Sequence, residues 1–157
     1  MTCFWDGILT GLNKFPDFKQ KSEFSDFSKV NNRAQFIEFC EKNANLLKNE
    51  REYILWNDNI ITEIEINTHH IPRILELDKT EKTNGYFCGS CDSFLLFICA
   101  YFKLNIHHKG QNFQYKNENT YNNYYYNWPN EKGFKDNKTL YFQSNRGHFN
   151  FVSHVNN

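Results

Sequence analysis

The stretch CDSFLLFICAYF, residues 91–102, constrains the fold of this chain more than any other. A surface helix shows one apolar stripe. This segment is apolar almost all round, which suits a helix surrounded on every side. Asp92 is the expected N-cap. The run falls short of the roughly 18–20 residues that a membrane span needs, and no other apolar run is longer. It therefore predicts a central core helix around which the other elements pack. Material for that core is ample, with 16 Phe and aromatics at 18% of the 157 residues. Such a length fits one domain, residues 1–157, able to bury about two thirds of its unfolded surface.

Before the central helix, CFWDGILTGL places Phe4, Ile8 and Leu12 on one helical stripe, with Trp5 and Leu9 beside it. Gly11 and Pro16 end that helix. SEFSDFSKV is ambiguous. In NNRAQFIEFCEKNANLLKNE, Phe36, Phe39, Cys40, Ala44 and Leu47 share a helical face, and Asn31 or Asn32 can cap it. ILWNDNIITEIEINTHHIPRILEL reads as one or two short helices interrupted near Pro72, and KTEKTNGYFCGS as a polar loop. After the central helix, LNIHHKGQNFQY reads as a hairpin turning at Gly110. Residues 117–138, rich in Asn and Tyr, read as a long loop. TLYFQS and HFNFVSHV alternate like two strands joined at NRG. Helices first and strands last predict an α+β fold with a small, mainly antiparallel sheet.

Charge and cysteine usage narrow the function classes. Lys plus Arg and Asp plus Glu are 18 each, so no bulk field draws phosphate backbones, and nucleic acid is not an expected partner. Neither is a membrane. The amino-terminal stretch lacks a basic n-region, and Asp6 interrupts its apolar run, unlike a signal peptide. Cys3, Cys40, Cys88, Cys91 and Cys99 form an odd set without framework spacing, which points to a reducing, intracellular setting.

Two groups of residues carry candidate chemistry. Cys88 and Cys91 form a C-x2-C, and His107 and His108 could complete a zinc site. Adjacent residues on a strand face opposite sides, however, and unliganded Cys is commonly a buried hydrophobe, so no metal is expected. The second group is Cys3 with His148. A thiol of pKa near 8.5 is only about 3% thiolate at pH 7. Cys3 stands at the start of a helix, whose positive end favours the thiolate. Activation also needs a base. His148 opens the final strand, and Asn150, two residues on, shares its face. An amide oxygen there can fix the imidazole tautomer. On an ordinary hairpin the same residues would be surface decoration. Tyr124, Tyr125 and Trp128 are the expected substrate contacts, since Tyr and Trp dominate interface hot spots.

Taken together, CFW, CDSFLLFICAYFKLNIHH and LYFQSNRGHFNFV resemble the OTU (ovarian tumour) family of cysteine proteases, in particular its divergent members from large DNA viruses. The resemblance spans nearly the whole chain and includes LLKNEREYILWNDNIITE and IPRIL. It implies a papain-like α+β core and hydrolysis of isopeptide or peptide bonds after ubiquitin or a ubiquitin-like protein. Cys3 would be the nucleophile, His148 the general base and Asn150 the orienting third member. No cofactor is implied, and conjugates of ubiquitin or a ubiquitin-like protein are the implied partners, in the host cytoplasm if the chain is viral. Family members usually carry Asp-Gly-x before the Cys, and its backbone N–H groups line the oxyanion hole. Here only Met1 and Thr2 precede Cys3. Three alternatives stay open: a chain that continues upstream of Met1, a weakened enzyme, or an OTU-like module that binds without cleaving. A small zinc-stabilised interaction domain is the more distant rival.

Overall fold

A computed structural model of the chain describes residues 3–77, 82, 88–111, 120–129, 138–145 and 147–156, and their side chains except at positions 3 and 88–90. Helices fill the first part: α1 (Cys3–Leu12), α2 (Asp17–Gln20), a 3-10 turn (Ser22–Phe24) running into α3 (Ser25–Ser28), α4 (Arg33–Asn43) and α5 (Leu46–Glu50). A minimal hairpin, β1 (Leu55–Trp56) and β2 (Asn59–Ile60), precedes α6 (Glu63–Glu65), a π-helical turn (Ile66–His70) and α7 (Ile71–Leu75). The long α8 (Cys88–Phe102) leads to β3 (Asn105–Gln111), β4 (Tyr121–Asn127), β5 (Thr139–Ser144) and β6 (Phe149–Val155). Among the described residues the sheet has six strands in the order β2-β1-β4-β3-β5-β6. Neighbours are antiparallel except β3 and β5, which run parallel. The fold is α+β with a mainly antiparallel sheet.

The all-round apolar character of α8 has the expected consequence. Cys91, Ser93, residues 94–100 and Phe102 are all buried. Phe94 meets Trp5 edge-on at 4.9 Å, Phe97 lies 5.7 Å from Phe39, and Phe102 packs 4.6 Å from Phe18 and 4.9 Å from Phe27. Asp92 is not the cap, because the helix starts at Cys88. Its carboxylate instead accepts a hydrogen bond from the Tyr126 hydroxyl at 2.6 Å. Asn32 caps α4 as expected, its side chain accepting from the Gln35 N–H at 2.9 Å.

The stripe Phe4, Ile8 and Leu12 is buried, with Trp5 beside it. On α1, Gly7 lies against the start of β6. A Cβ there would sit 3.3 Å from the Phe149 ring and 3.5 Å from both the Phe149 carbonyl oxygen and the Phe151 nitrogen. A mid-helix glycine costs about 0.5–1 kcal/mol relative to alanine. Here it permits a backbone-to-backbone approach that a side chain would obstruct.

Four sequence expectations are corrected. Leu55–Ile60 is a hairpin and not helix: Asn57 and Asp58 hold φ of 49° and 66°, the left-handed pair that a tight hairpin turn requires. Asn57 also ties this hairpin to β4, exchanging hydrogen bonds of 2.8 Å with Tyr125. Helix runs through Pro72 and is not broken there. The wider turn Ile66–His70 sits immediately ahead, where the missing proline N–H would interrupt an α-helical ladder. Gly110 makes no turn. It is mid-strand in β3, paired with Asn122 and Ser144, and a Cβ on it would lie 3.4 Å from the Tyr124 ring. Within the expected loop 117–138, residues Tyr121–Asn127 are strand β4. The expected polar loop ahead of α8 lies mostly outside the described residues.

Candidate active site

The β5–β6 hairpin carries His148. Ser144 pairs with Phe149 and Gln143 with Asn150. Strand alternation buries Ser144 and Phe149 and exposes Asn150, while His148, just ahead of β6, is exposed. Asn145 secures the turn. Its backbone N–H donates to the His148 carbonyl at 2.9 Å, and its side-chain oxygen accepts from the N–H groups of Gly147 and His148, each at 3.1 Å. A side-chain oxygen bonded two and three residues ahead is the usual way Asn stabilises a reverse turn.

Phe149 anchors the hairpin in the core. Its ring centroid lies 4.8 Å from Phe4, 4.9 Å from Phe142 and 5.3 Å from His108. Phe4 is the second residue of α1, directly after Cys3, and Phe149 directly follows His148. The side chains next to the two candidate catalytic residues are therefore in contact. Cys3 is the first residue of α1, at the end where the helix dipole is positive. The expected contact between its sulfur and the His148 ring lies outside the described residues.

The other described thiols are in the core. Cys40, Cys91 and Cys99 are buried. Burial pushes the Cys99 thiol well up, and it does the same to Cys40, helped by the charge of Glu41. Such thiols are poor nucleophiles at neutral pH. Cys91 has a histidine: its sulfur lies 3.9 Å from His108 Nδ1, and His108 Nε2 is 2.7 Å from the Ser144 hydroxyl. The trio is sealed, with 2%, 3% and 4% exposure for Cys91, His108 and Ser144. Burial, reinforced by neighbouring His107, lowers the His108 pKa to about 4. A neutral imidazole between two small polar side chains satisfies buried hydrogen-bonding groups. His107 faces the other way, stacked on Tyr125 at 4.5 Å, with Nε2 3.0 Å from the Asn123 side-chain oxygen. The two histidines thus occupy opposite faces of β3. Among the described residues no three ligating side chains converge on a metal position, and the Cys88 side chain lies outside them. Among the described residues, too, no helix is long and apolar enough to cross a membrane.

No family model, curated protein or solved structure matches this chain.

The three aromatics expected to contact substrate have separate fates. Trp128 is 2% exposed. It packs 5.7 Å from Tyr53, with the Lys103 ammonium 5.5 Å from its ring. It is a core residue, and the expectation of a surface ring there is corrected. Tyr124 is half-buried over His108, ring centroids 5.6 Å apart. Tyr125 is 44% exposed on the outer face of the sheet. A second buried histidine also escaped the sequence reading. His70 Nδ1 lies 2.9 Å from the Ser93 hydroxyl, and burial first, then His69, lowers its pKa to about 4. Asn145 was missed as well, although Asn two residues ahead of Gly carries a recognisable turn signal.

Proposed function

We propose that this chain is an OTU-like cysteine protease that cleaves isopeptide or peptide bonds after ubiquitin or a ubiquitin-like protein. The observation that carries the reading is the contact of Phe4 with Phe149, at 4.8 Å. It brings the amino-terminal end of α1 to the turn that holds His148. Burial of Cys40, Cys91 and Cys99 in the core is consistent with it.

In this reading His148 takes the proton of the Cys3 thiol, and the positive end of α1 stabilises the thiolate. The sulfur attacks the carbonyl carbon of the last ubiquitin residue. The tetrahedral oxyanion forms near the Cys3 backbone N–H. The imidazolium returns its proton to the leaving amine, and an acyl-enzyme remains. Water, deprotonated by His148, then attacks the thioester and releases the ubiquitin carboxylate and the Cys3 thiol. Asn150 orients the ring without adding charge. The chemistry calls for no metal or organic cofactor.

Turnover of ubiquitin carrying a fluorogenic amide at its carboxyl terminus tests the proposal. Cys3→Ser and His148→Ala should each abolish it, and the double variant should be no worse, because the pair acts as a unit. Turnover that survives Cys3→Ser would overturn the proposal. Ubiquitin binding without turnover in the unaltered chain would favour the binding module.

A further inference from the structure

The turn between β5 and β6 is held by more than hairpin pairing. One residue, Asn145, engages the backbone of His148 on both sides, through its own backbone N–H and through its side-chain oxygen. The Asn145 N–H donates to the His148 carbonyl at 2.9 Å, and the His148 N–H donates to Asn145 Oδ1 at 3.1 Å. The same oxygen takes the Gly147 N–H at 3.1 Å. The strands on either side are fixed independently. Ser144, immediately before Asn145, is bonded to buried His108 at 2.7 Å, and Phe149, immediately after His148, sits in the aromatic core. Between these two anchors, Asn145 holds the described residues Gly147 and His148. His148 is exposed, so tertiary packing around its ring cannot do the job that packing does for His108.

The geometry points to Asn145 as a positioning residue: it fixes the His148 backbone, and hence the imidazole, in the register that proton transfer with Cys3 needs. This role rests on the protease reading and adds to it a residue that touches neither substrate nor the reacting atoms. Proton transfer between side chains demands a heavy-atom separation of about 2.6–3.2 Å. A displacement of about 1 Å at a reacting group can cost about 10²-fold in rate. An exposed histidine on a free turn would wander by more than that.

The test pairs two readouts on the full chain and its Asn145→Ala, Asn145→Asp and Asn145→Gln variants: steady-state turnover of the ubiquitin fluorogenic amide, and hydrogen exchange at the Gly147 and His148 amides. In Asn145→Ala both amides should exchange faster, and kcat should fall by about 10²-fold with KM little changed. Asn145→Asp keeps the acceptor oxygen and should restore both to within a few-fold. Asn145→Gln displaces that oxygen by a methylene and should behave like Asn145→Ala, so it serves as the second probe should Asn145→Ala fail to fold. Faster exchange with unchanged kcat, or failure of Asn145→Asp to rescue kcat, would overturn the positioning role while leaving the protease reading intact. Absence of turnover in the unaltered chain would sink the protease reading, and this role with it.

Discussion

Two histidines, His108 within β3 and His148 just ahead of β6, flank the Phe149 ring by contact and by sequence yet live in opposite surroundings. His108 is 3% exposed, lies 3.9 Å from a cysteine sulfur and 2.7 Å from a serine hydroxyl, and is held neutral by burial. His148 is exposed, and its backbone is fixed by Asn145. On distance alone the Cys91–His108 pair looks like a catalytic dyad. It fails on access and on energetics: substrate cannot reach it, and desolvation opposes the imidazolium that a general base must become. Proximity of Cys and His is therefore a weak criterion. A nucleophilic site also needs an open face and a cation that can form there, and the hairpin tip offers the first of these.

The largest effect that can break this comparison is on rate. His148→Ala should lower ubiquitin-amide turnover by about 10³-fold or more and leave the melting temperature nearly unchanged. His108→Ala should do the reverse, with turnover per folded molecule falling only a few-fold. It leaves the buried Ser144 hydroxyl without its partner and opens a cavity, so stability should fall by about 2–4 kcal/mol in urea unfolding. If the two variants exchanged these effects, the sealed site would be the active one.

The next effect sharpens the contrast within one hairpin. Phe149→Ala removes the ring that joins Phe4, Phe142 and His108. It should cost about 3–5 kcal/mol. Exposed Tyr125→Ala should stay near 0.5 kcal/mol.

Acid titration tests the surroundings of His108 directly. The folded-state pKa of His108, about 4, lies below its ordinary value of 6.5. The native state then binds fewer protons than the unfolded chain at mildly acid pH. The His108 contribution is whole above about pH 6.5, declines as pH falls toward about 4 and levels off below that, losing about 3 kcal/mol in all. His70 is shifted in the same direction and should add to the loss. Urea unfolding across this window should show a steeper pH slope in the unaltered chain than in His108→Phe. Equal slopes would mean that His108 titrates normally.

The smallest effect concerns the approach of α1 to β6. Gly7→Ala gains up to about 1 kcal/mol of helix propensity and loses about 1–3 kcal/mol to overpacking against Phe149. A net loss of about 1 kcal/mol is expected in thermal unfolding. A net gain would mean that the helix can shift away from β6, loosening the link between Cys3 and the His148 turn.

The sequence made the helical core readable because each signal there is local and repeated. Phe4, Ile8 and Leu12 recur with helical spacing, Asn32 sits at the cap position, and residues 94–100 are uniformly apolar. The final hairpin was readable for the same reason: HFNFV alternates cleanly. β4 was hidden because Tyr serves both faces, Tyr126 buried and Tyr125 exposed, with Asn between, so YNNYYYN shows little hydrophobic contrast. The Leu55–Ile60 hairpin was hidden because its left-handed residues are Asn57 and Asp58, with no glycine to mark the turn. Trp128 was misplaced for a related reason: an aromatic in polar company looks exposed, and only the tertiary packing of Tyr53 and Lys103 shows otherwise. At the candidate site, Cys3, His148 and Asn150 could be named from motif and period. Asn145 stood in the sequence only as a turn signal ahead of Gly147; its hydrogen bonds to Gly147 and His148 show only in the structure.

The central claim is that Cys3, and not the histidine-paired Cys91, is the nucleophile. Ubiquitin bearing an electrophilic carboxyl-terminal group tests it most directly, with the labelled peptide identified by mass spectrometry. The account predicts one covalent adduct per chain, on Cys3, lost in His148→Ala and kept in Cys91→Ala. An adduct on Cys91 or Cys88, or none on a folded chain under reducing conditions, would contradict it.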